Sequence, residues 1–230
     1  IIESVDFFKS DPPESIANKI ITYNLSDISS MGASPYAYTL SLALPVTNLD
    51  SWLNKFTKKL FFLQKKYNFF LIGGDLSKSN KIIISSNFFG YVNKKKILSR
   101  SNHNINDDIW ITGNIGESTI GLKVIKNKIK VNLSDSKYFS KKYLFPKHFA
   151  YGHRINKYAN SAIDISDGFY GDLNKLIYKK NKGALIHSKS LPFSNRTKKL
   201  LKNNILHIQH LLSSGDDYEL IFTADPDNFK

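Results

Sequence analysis

Acidic residues at or near the ends of apolar elements, three of the four sets with glycine beside the carboxylate, are the feature of this sequence most able to do chemistry. They occur in four places: Asn24-Leu25-Ser26-Asp27, Gly73-Gly74-Asp75, Asp164-Ile165-Ser166-Asp167-Gly168 and Gly215-Asp216-Asp217. Carboxylates are hard oxygen ligands, and several of them converging on one cleft can hold Mg²⁺ on a nucleotide's phosphates. Asp27 falls on the broad apolar arc of an expected helix, and a carboxylate buried there needs a partner or a metal. Asp75 follows two glycines at an expected strand end, where glycine permits close backbone approach to a ligand; an ordinary Gly-Asp turn would look the same. Asp164 and Asp167 flank Ser166 at an expected strand-to-helix turn, a place for Mg²⁺ and phosphate. N-capping of the helix by Ser166 or Asp167 is the alternative reading.

Other signals are weaker. Gly113-x-x-Gly116 is not followed by Lys-Ser/Thr and so is not a Walker A loop; it reads as structural. The six histidines are scattered and read as surface or packing residues rather than zinc ligands. No Gly-x-Ser-x-Gly elbow supports a hydrolase triad. Cysteine is absent, which removes disulfides, thiolate metal sites and cysteine nucleophiles. The formal charge of +14 invites a nucleic-acid reading, but it comes from 30 Lys and only 3 Arg, alongside 26 Ile and 22 Asn. Nucleic-acid and phosphate surfaces recruit the bidentate Arg fork. A Lys, Asn and Ile bias reads as compositional drift with lysines on solvated faces, so no nucleic-acid partner is expected. No apolar run approaches the 18 or so residues of a membrane span, and no signal peptide is legible. No membrane association and a cytoplasmic location are therefore expected.

These residues need elements to position them. Asp11-Pro12-Pro13-Glu14 reads as a capping box opening a helix over about 12–31, with Gly32 as its stop. A strand over 38–44, a helix over about 49–67, a strand over 69–72 and a turn at Gly73-Gly74-Asp75 follow, then a strand over about 81–91. The polar stretch 93–106 is the expected boundary between a domain at 1–100 and one at 101–230. The second half reads as a strand over 109–112, a helix to about 125, and short helices at about 136–144 and 147–158. A strand ending at 163, a helix to about 180, a strand over 184–187, a helix near 194–203 and a strand over about 218–223 complete it. Two successive mixed units predict two α+β lobes.

The segments Asn24-Leu25-Ser26-Asp27-Ile28-Ser29-Ser30-Met31-Gly32-Ala33, Leu71-Ile72-Gly73-Gly74-Asp75, Ala162-Ile163-Asp164-Ile165-Ser166-Asp167-Gly168 and Ser214-Gly215-Asp216-Asp217-Tyr218-Glu219-Leu220 resemble, in order and spacing, the thiamine-monophosphate kinase family of the PurM-like (aminoimidazole ribonucleotide synthetase-like) ATP-binding superfamily. The resemblance implies a two-lobed PurM-like α+β fold, with a ferredoxin-like N-terminal ATP-binding and dimerisation lobe and an α/β C-terminal lobe. It implies direct, Mg²⁺-assisted phosphoryl transfer from ATP to thiamine phosphate, giving thiamine diphosphate. The expected metal ligands for several Mg²⁺ ions are Asp27, Asp75, Asp164 and Asp167. Gly74, Arg100 and Ser166 are the expected ATP contacts, Asp6 and Asp216 the substrate contacts, and no catalytic side chain beyond these is implied. A homodimer is implied too. Some positions depart from the family pattern: Asp6 stands where the family has a His, Leu76 where it has Thr, Lys78 where it has Arg, and Ser214 where it has Gly. The family pattern also extends beyond both ends, with a Gly-Asp-Asp metal motif upstream, so the resemblance implies a chain truncated at both ends and inactive by itself. A catalytically impaired relative, or another PurM-like ATP-using enzyme, are the alternatives at this level.

Overall fold

The computed structural model describes residues 1–45, 49–148, 150–178 and 183–229. Eight α-helices and six strands are assigned among them. The strands form two three-stranded sheets, ordered β2-β1-β3 and β4-β6-β5. The first contains β1 (Ser34–Leu44), β2 (Phe70–Lys78) and β3 (Ile83–Tyr91). Strands β1 and β2 run parallel, joined through helix α2 (Asp50–Tyr67), and β3 pairs antiparallel to β1. The second sheet is antiparallel throughout, with β6 (Leu220–Ala224) between β4 (Asp108–Ile111) and β5 (Ala159–Asp164). Each sheet has its own apolar core. Ile21, Leu25, Tyr38 and Phe56 anchor the first, and Ile120, Phe139, Leu176 and Ile221 the second.

Helix α1 (Pro13–Ser30) belongs to both lobes. Ala17, Ile20, Ile21 and Leu25 face the first core. Truncating the fully buried Leu25 to Ala would cost about 3 kcal/mol, the usual result of opening a cavity. An adjoining side carries Asn18, Thr22, Ser26 and Ser29, a 4-4-3 spacing that keeps small polar groups on one stripe. Asn18 Nδ2 and Thr22 Oγ1 both donate to the Pro146 carbonyl, at 2.7 and 3.3 Å. The stripe therefore docks by hydrogen bonds where an apolar seam would have left the second lobe's backbone oxygens unsatisfied. The helix ends as expected: Gly32 has φ +74°, Gly32 N–H donates to Ser29 O at 2.9 Å and Ala33 N–H to Ile28 O at 3.2 Å, a Schellman closure.

Its beginning differs from the expected capping box. Pro12 is the N-cap and makes no side-chain cap bond. Asp11 instead accepts from Phe8 N–H at 3.2 Å and faces Lys19 at 3.8 Å. Lys19, about two turns along the same helix, has taken the carboxylate that would have capped it.

Three further expectations change. Gly73-Gly74-Asp75 is no turn, because β2 runs through it. The pairing of β1 with β2 skips one residue, with Tyr38 opposite Leu71 but Thr39 opposite Gly73. A Cβ on Gly74 would lie 1.9 Å from the Leu40 carbonyl oxygen. Glycine is required there by a close parallel approach, not by a positive φ. Residues 184–187 form no strand and lead into a short 3₁₀ turn at Ser188–Ser190, since no described strand offers them a ladder. An additional helix, α8 (Ile208–Leu212), precedes the last acidic turn. The remaining helices are α3 (Glu117–Ile125), α4 (Leu133–Leu144), α5 (Gly152–Ile155), α6 (Phe169–Ile177) and α7 (Asn195–Lys202). The expected end of α6 near 180, and residue 149 of the expected 147–158 helix, lie outside the described residues. No helix among the described residues is long and apolar enough to cross a membrane.

Candidate active site

The seam between α1 and the second sheet brings three of the four acidic segments together, those of Asp27, of Asp164 and Asp167, and of Asp216. Asp27 sits in the last turns of α1 and Asp164 at the end of β5. Ser26 Oγ donates to Asp164 Oδ2 at 2.9 Å across the seam. Asp27 is not the buried residue its helical arc implied. It is the exposed residue of an otherwise covered α1, because the apolar arc ends where the seam opens. Its carboxyl is nonetheless crowded by the surrounding protein. That crowding, and then the neighbouring Asp164 charge, raise its pKa to about 6, while Arg100 pulls it back down. Burial likewise raises Asp164, opposed by the Ser26 hydrogen bond and by Arg100. Arg100 thus bears on both carboxylates, and Asp172 adds further negative charge at Asp164.

Glycines let the two C-terminal acidic loops meet. A Cβ on Gly215 would stand 1.7 Å from Ser166 O, and Gly168, at φ +110°, is packed against the Ser213–Ser214 backbone. Asp216 N–H donates to Ser166 O at 3.0 Å and Tyr218 N–H to Ile165 O at 2.9 Å, extending the β5–β6 pairing into the loops. Neither Ser166 nor Asp167 caps α6. The N-cap is Gly168, and the Ser166 and Asp167 amides donate to Asp172 Oδ2 at 3.0 and 2.9 Å. Asp172, buried and paired with Lys175 at 2.8 Å, shapes the loop. Asp167 is exposed and ion-paired with the same Lys175.

Asp216 and Asp6, the expected substrate contacts, lie near the same seam. The Tyr218 hydroxyl donates to Asp216 Oδ1 at 2.7 Å, and its ring stacks on Tyr23 of α1 with centroids 4.1 Å apart. Asp6 accepts from Ile2 N–H at 2.7 Å, and both Asp6 and Asp216 bear electrostatically on Tyr23 and Tyr143. His148 pins this region: its Nε2 is 2.8 Å from Ser29 Oγ and its Nδ1 3.0 Å from Tyr218 O. Burial holds it neutral, with a pKa lowered to about 4.

Not every expected site residue joins this group. Asp75 lies in exposed β2, where its carboxylate accepts from Ser77 Oγ at 2.9 Å. Gly74 is accounted for by the Leu40 approach. The Gly113-x-x-Gly116 turn is structural as expected: Gly113 makes room for Glu219, and Gly116 N–H donates to Asp217 at 2.6 Å. A carboxylate of the chain occupies the nest that a phosphate would need. A cavity of about 920 Å³ lies elsewhere, between β4 and residues 183–192. Residues that sequence reasoning did not single out include Ser26, Asp172, His148 and Lys19. Asp172, acidic in the first turn of α6, carries a legible signal; the others acquire their roles from packing.

Among the described residues no three His, Asp or Glu groups form a cage able to hold a metal alone. Mg²⁺ on a nucleotide is commonly held by one or two carboxylates together with substrate phosphates and water. The Asp27–Asp164 pair, hard oxygens lacking a full counter-charge, fits such an ion.

The geometry has counterparts in known proteins. The family model for AIR synthase related protein, N-terminal domain, matches residues 1–92. A thiamine-monophosphate kinase of Buchnera aphidicola subsp. Acyrthosiphon pisum is 38% identical over 99% of this chain and 70% of its own length. The crystal structure of thiamine monophosphate kinase from Aquifex aeolicus superposes with a TM-score of 0.92 at 29% identity, covering 100% of this chain and 79% of that one. AaThiL complexed with AMPPCP and TMP also gives 0.92 at 29% identity, covering 100% of this chain and 74% of that one. With two lobes, a shared seam and a relative of this similarity, the chain belongs to the thiamine-monophosphate kinase family.

Proposed function

We infer that this protein transfers the γ-phosphoryl group of ATP to thiamine phosphate, giving ADP and thiamine diphosphate. The observation that carries the reading is the Asp27–Asp164–Arg100 group, assembled from α1, β5 and the connecting loop at the lobe seam. Asp27 and Asp164, with Asp167 beside them, would hold Mg²⁺, which when bound neutralises phosphate charge; Asp75, apart from this group on β2, would be a separate ligand. Arg100 and Ser166 would contact ATP, with Gly74 offering backbone. Asp6 and Asp216 would hold the acceptor. The acceptor phosphate is already an anionic nucleophile, so the side chains need to align and neutralise rather than deprotonate. Ser26 and Asp172 orient Asp164 and the Ser166–Asp167 loop, and His148 keeps the Asp216–Tyr218 loop against α1. We place the domain boundary at 100/101 and the enzyme in the cytoplasm.

The reading includes a homodimer. Leu71, Ile72 and Leu76 on β2, with Phe89 and Tyr91 on β3, are exposed large apolar side chains on one small sheet. A second copy covering them would remove both the apolar patch and a free sheet edge.

The test is full-length protein with Mg-ATP and thiamine phosphate, followed by chromatography of the products. Thiamine diphosphate is expected; its absence under conditions where the protein is folded overturns the reading.

A further inference from the structure

Residues Asp216–Glu219 lead into β6, and their side chains bond alternately in two directions. The Tyr218 hydroxyl donates to Asp216 Oδ1 at 2.7 Å, and the Tyr218 ring stacks on Tyr23 of α1. Asp217 and Glu219 bond toward α3 and the residue after β4. Asp217 Oδ2 accepts from Gly116 N–H at 2.6 Å and Oδ1 from Ser118 N–H at 3.4 Å, while Glu219 Oε2 accepts from Thr112 Oγ1 at 2.5 Å. The backbone is left-handed on both sides of Asp217, with φ +68° at Asp216 and +53° at Tyr218. Aspartate tolerates that region, but a tyrosine there is strained. Such a conformation persists only where its surroundings hold it. From the β5 side, Ser166 O and Ile165 O accept the Asp216 and Tyr218 amides, and the His148 ring meets the Tyr218 carbonyl. From the α3 side, the turn is held by Asp217. Enclosure by protein raises the Asp217 carboxyl to about 7, against the pull of its two amide bonds. Capping α3 asks for no such carboxyl, since an uncharged Asn accepts from the same kind of amide.

We propose that Asp217 is a positioning residue for the phosphate acceptor: by tying the strained Asp216–Tyr218 turn to the start of α3, it holds the Asp216 carboxylate and the Tyr23–Tyr218 ring stack in place for thiamine phosphate. It does not touch the substrate. This rests on the kinase reading above. The nucleotide side has an anchor of its own, because the Ser166 and Asp167 amides are bonded to Asp172. Loss of Asp217 therefore weakens the acceptor and spares Mg-ATP.

The experiment measures KM for thiamine phosphate and for Mg-ATP separately in full-length protein, with thermal unfolding of each variant. In Asp217→Ala the acceptor KM rises roughly tenfold, the scale of one lost hydrogen bond to a charged group, while the Mg-ATP KM stays within about twofold. Asp217→Asn, which keeps one acceptor for the Gly116 amide, recovers most of the loss. Should Asp217→Ala fail to fold, hydrogen exchange in the wild-type protein decides. If only the anchored turn binds the acceptor, the acceptor must in return suppress its release. Thiamine phosphate at about ten times its Kd then slows exchange of the Gly116 amide roughly tenfold, and an unreactive ATP analogue leaves it within about twofold. An unchanged acceptor KM, an equal rise in both constants, or a Gly116 amide indifferent to thiamine phosphate overturns the proposal while leaving the kinase reading intact. A wild-type protein that forms no thiamine diphosphate removes both.

Discussion

Ser26 of α1 and Asp164 of β5 are joined by a 2.9 Å hydrogen bond that crosses from one lobe to the other. Ser26 is adjacent to Asp27, so the helix that presents one carboxylate also orients the second. Ser26→Ala leaves a buried carboxylate oxygen short of a donor, at a cost of about 1–3 kcal/mol. Calorimetry should show this as a lower Tm, and titration with Mg-ATP should show weaker binding. Unchanged binding would separate the hydrogen bond from the site.

His148 makes stability depend on pH. Its folded pKa is lowered to about 4 from 6.5. Between those values the unfolded chain binds the proton and the folded chain does not. The contribution is complete above about pH 6.5 and is lost as pH falls toward 4, with an upper size of roughly 3 kcal/mol. The stability difference between wild type and His148→Gln should therefore shrink steadily from pH 7 to pH 4 in urea titrations. A difference independent of pH contradicts a buried neutral imidazole.

Adjacent glycines should respond oppositely to the same change. A Cβ on Gly73 meets nothing within 4 Å, whereas one on Gly74 meets Leu40 O at 1.9 Å. Gly73→Ala should alter stability by less than about 1 kcal/mol, and Gly74→Ala should lose about 3 kcal/mol, since backbone cannot yield. Denaturant midpoints decide it; equal effects would contradict the close β1–β2 approach.

The exposed sheet gives a fourth expectation. Leu76, 66% exposed on β2, should be covered in the homodimer. Leu76→Asp should convert a dimer to a monomer in light scattering while leaving the far-UV circular dichroism unchanged. A wild-type protein that is monomeric at all concentrations contradicts the proposed interface.

Local chemistry made part of this legible. Gly32 could be read as a helix stop because a Schellman closure is written within a few residues, and the glycines beside Asp167 and Asp216 could be read as special turns. The rest depended on distant partners. Asp11 looked like a cap until Lys19 drew it away. Gly73-Gly74-Asp75 looked like a turn, because nothing nearby announces that Leu40 will press against Gly74. Residues 184–187 had the composition of a strand but found no ladder. Asp27 was placed correctly on its helix yet predicted to be buried, since the helical arc alone cannot say where the second lobe stops. His148 was read as a packing residue, which it is, but its bridge from Ser29 to the Tyr218 carbonyl exists only in the assembled seam.

The central claim is that Asp27 and Asp164 act as one unit from two lobes. The measurement that tests it most directly is thiamine diphosphate formation from Mg-ATP by full-length wild type, Asp27→Asn, Asp164→Asn and the double variant. Each single change should cost about 10²-fold or more in kcat/KM, and the double variant should be little worse than either, as expected for groups that work together. Single variants with near wild-type turnover, or losses that simply multiply in the double variant, would contradict the account.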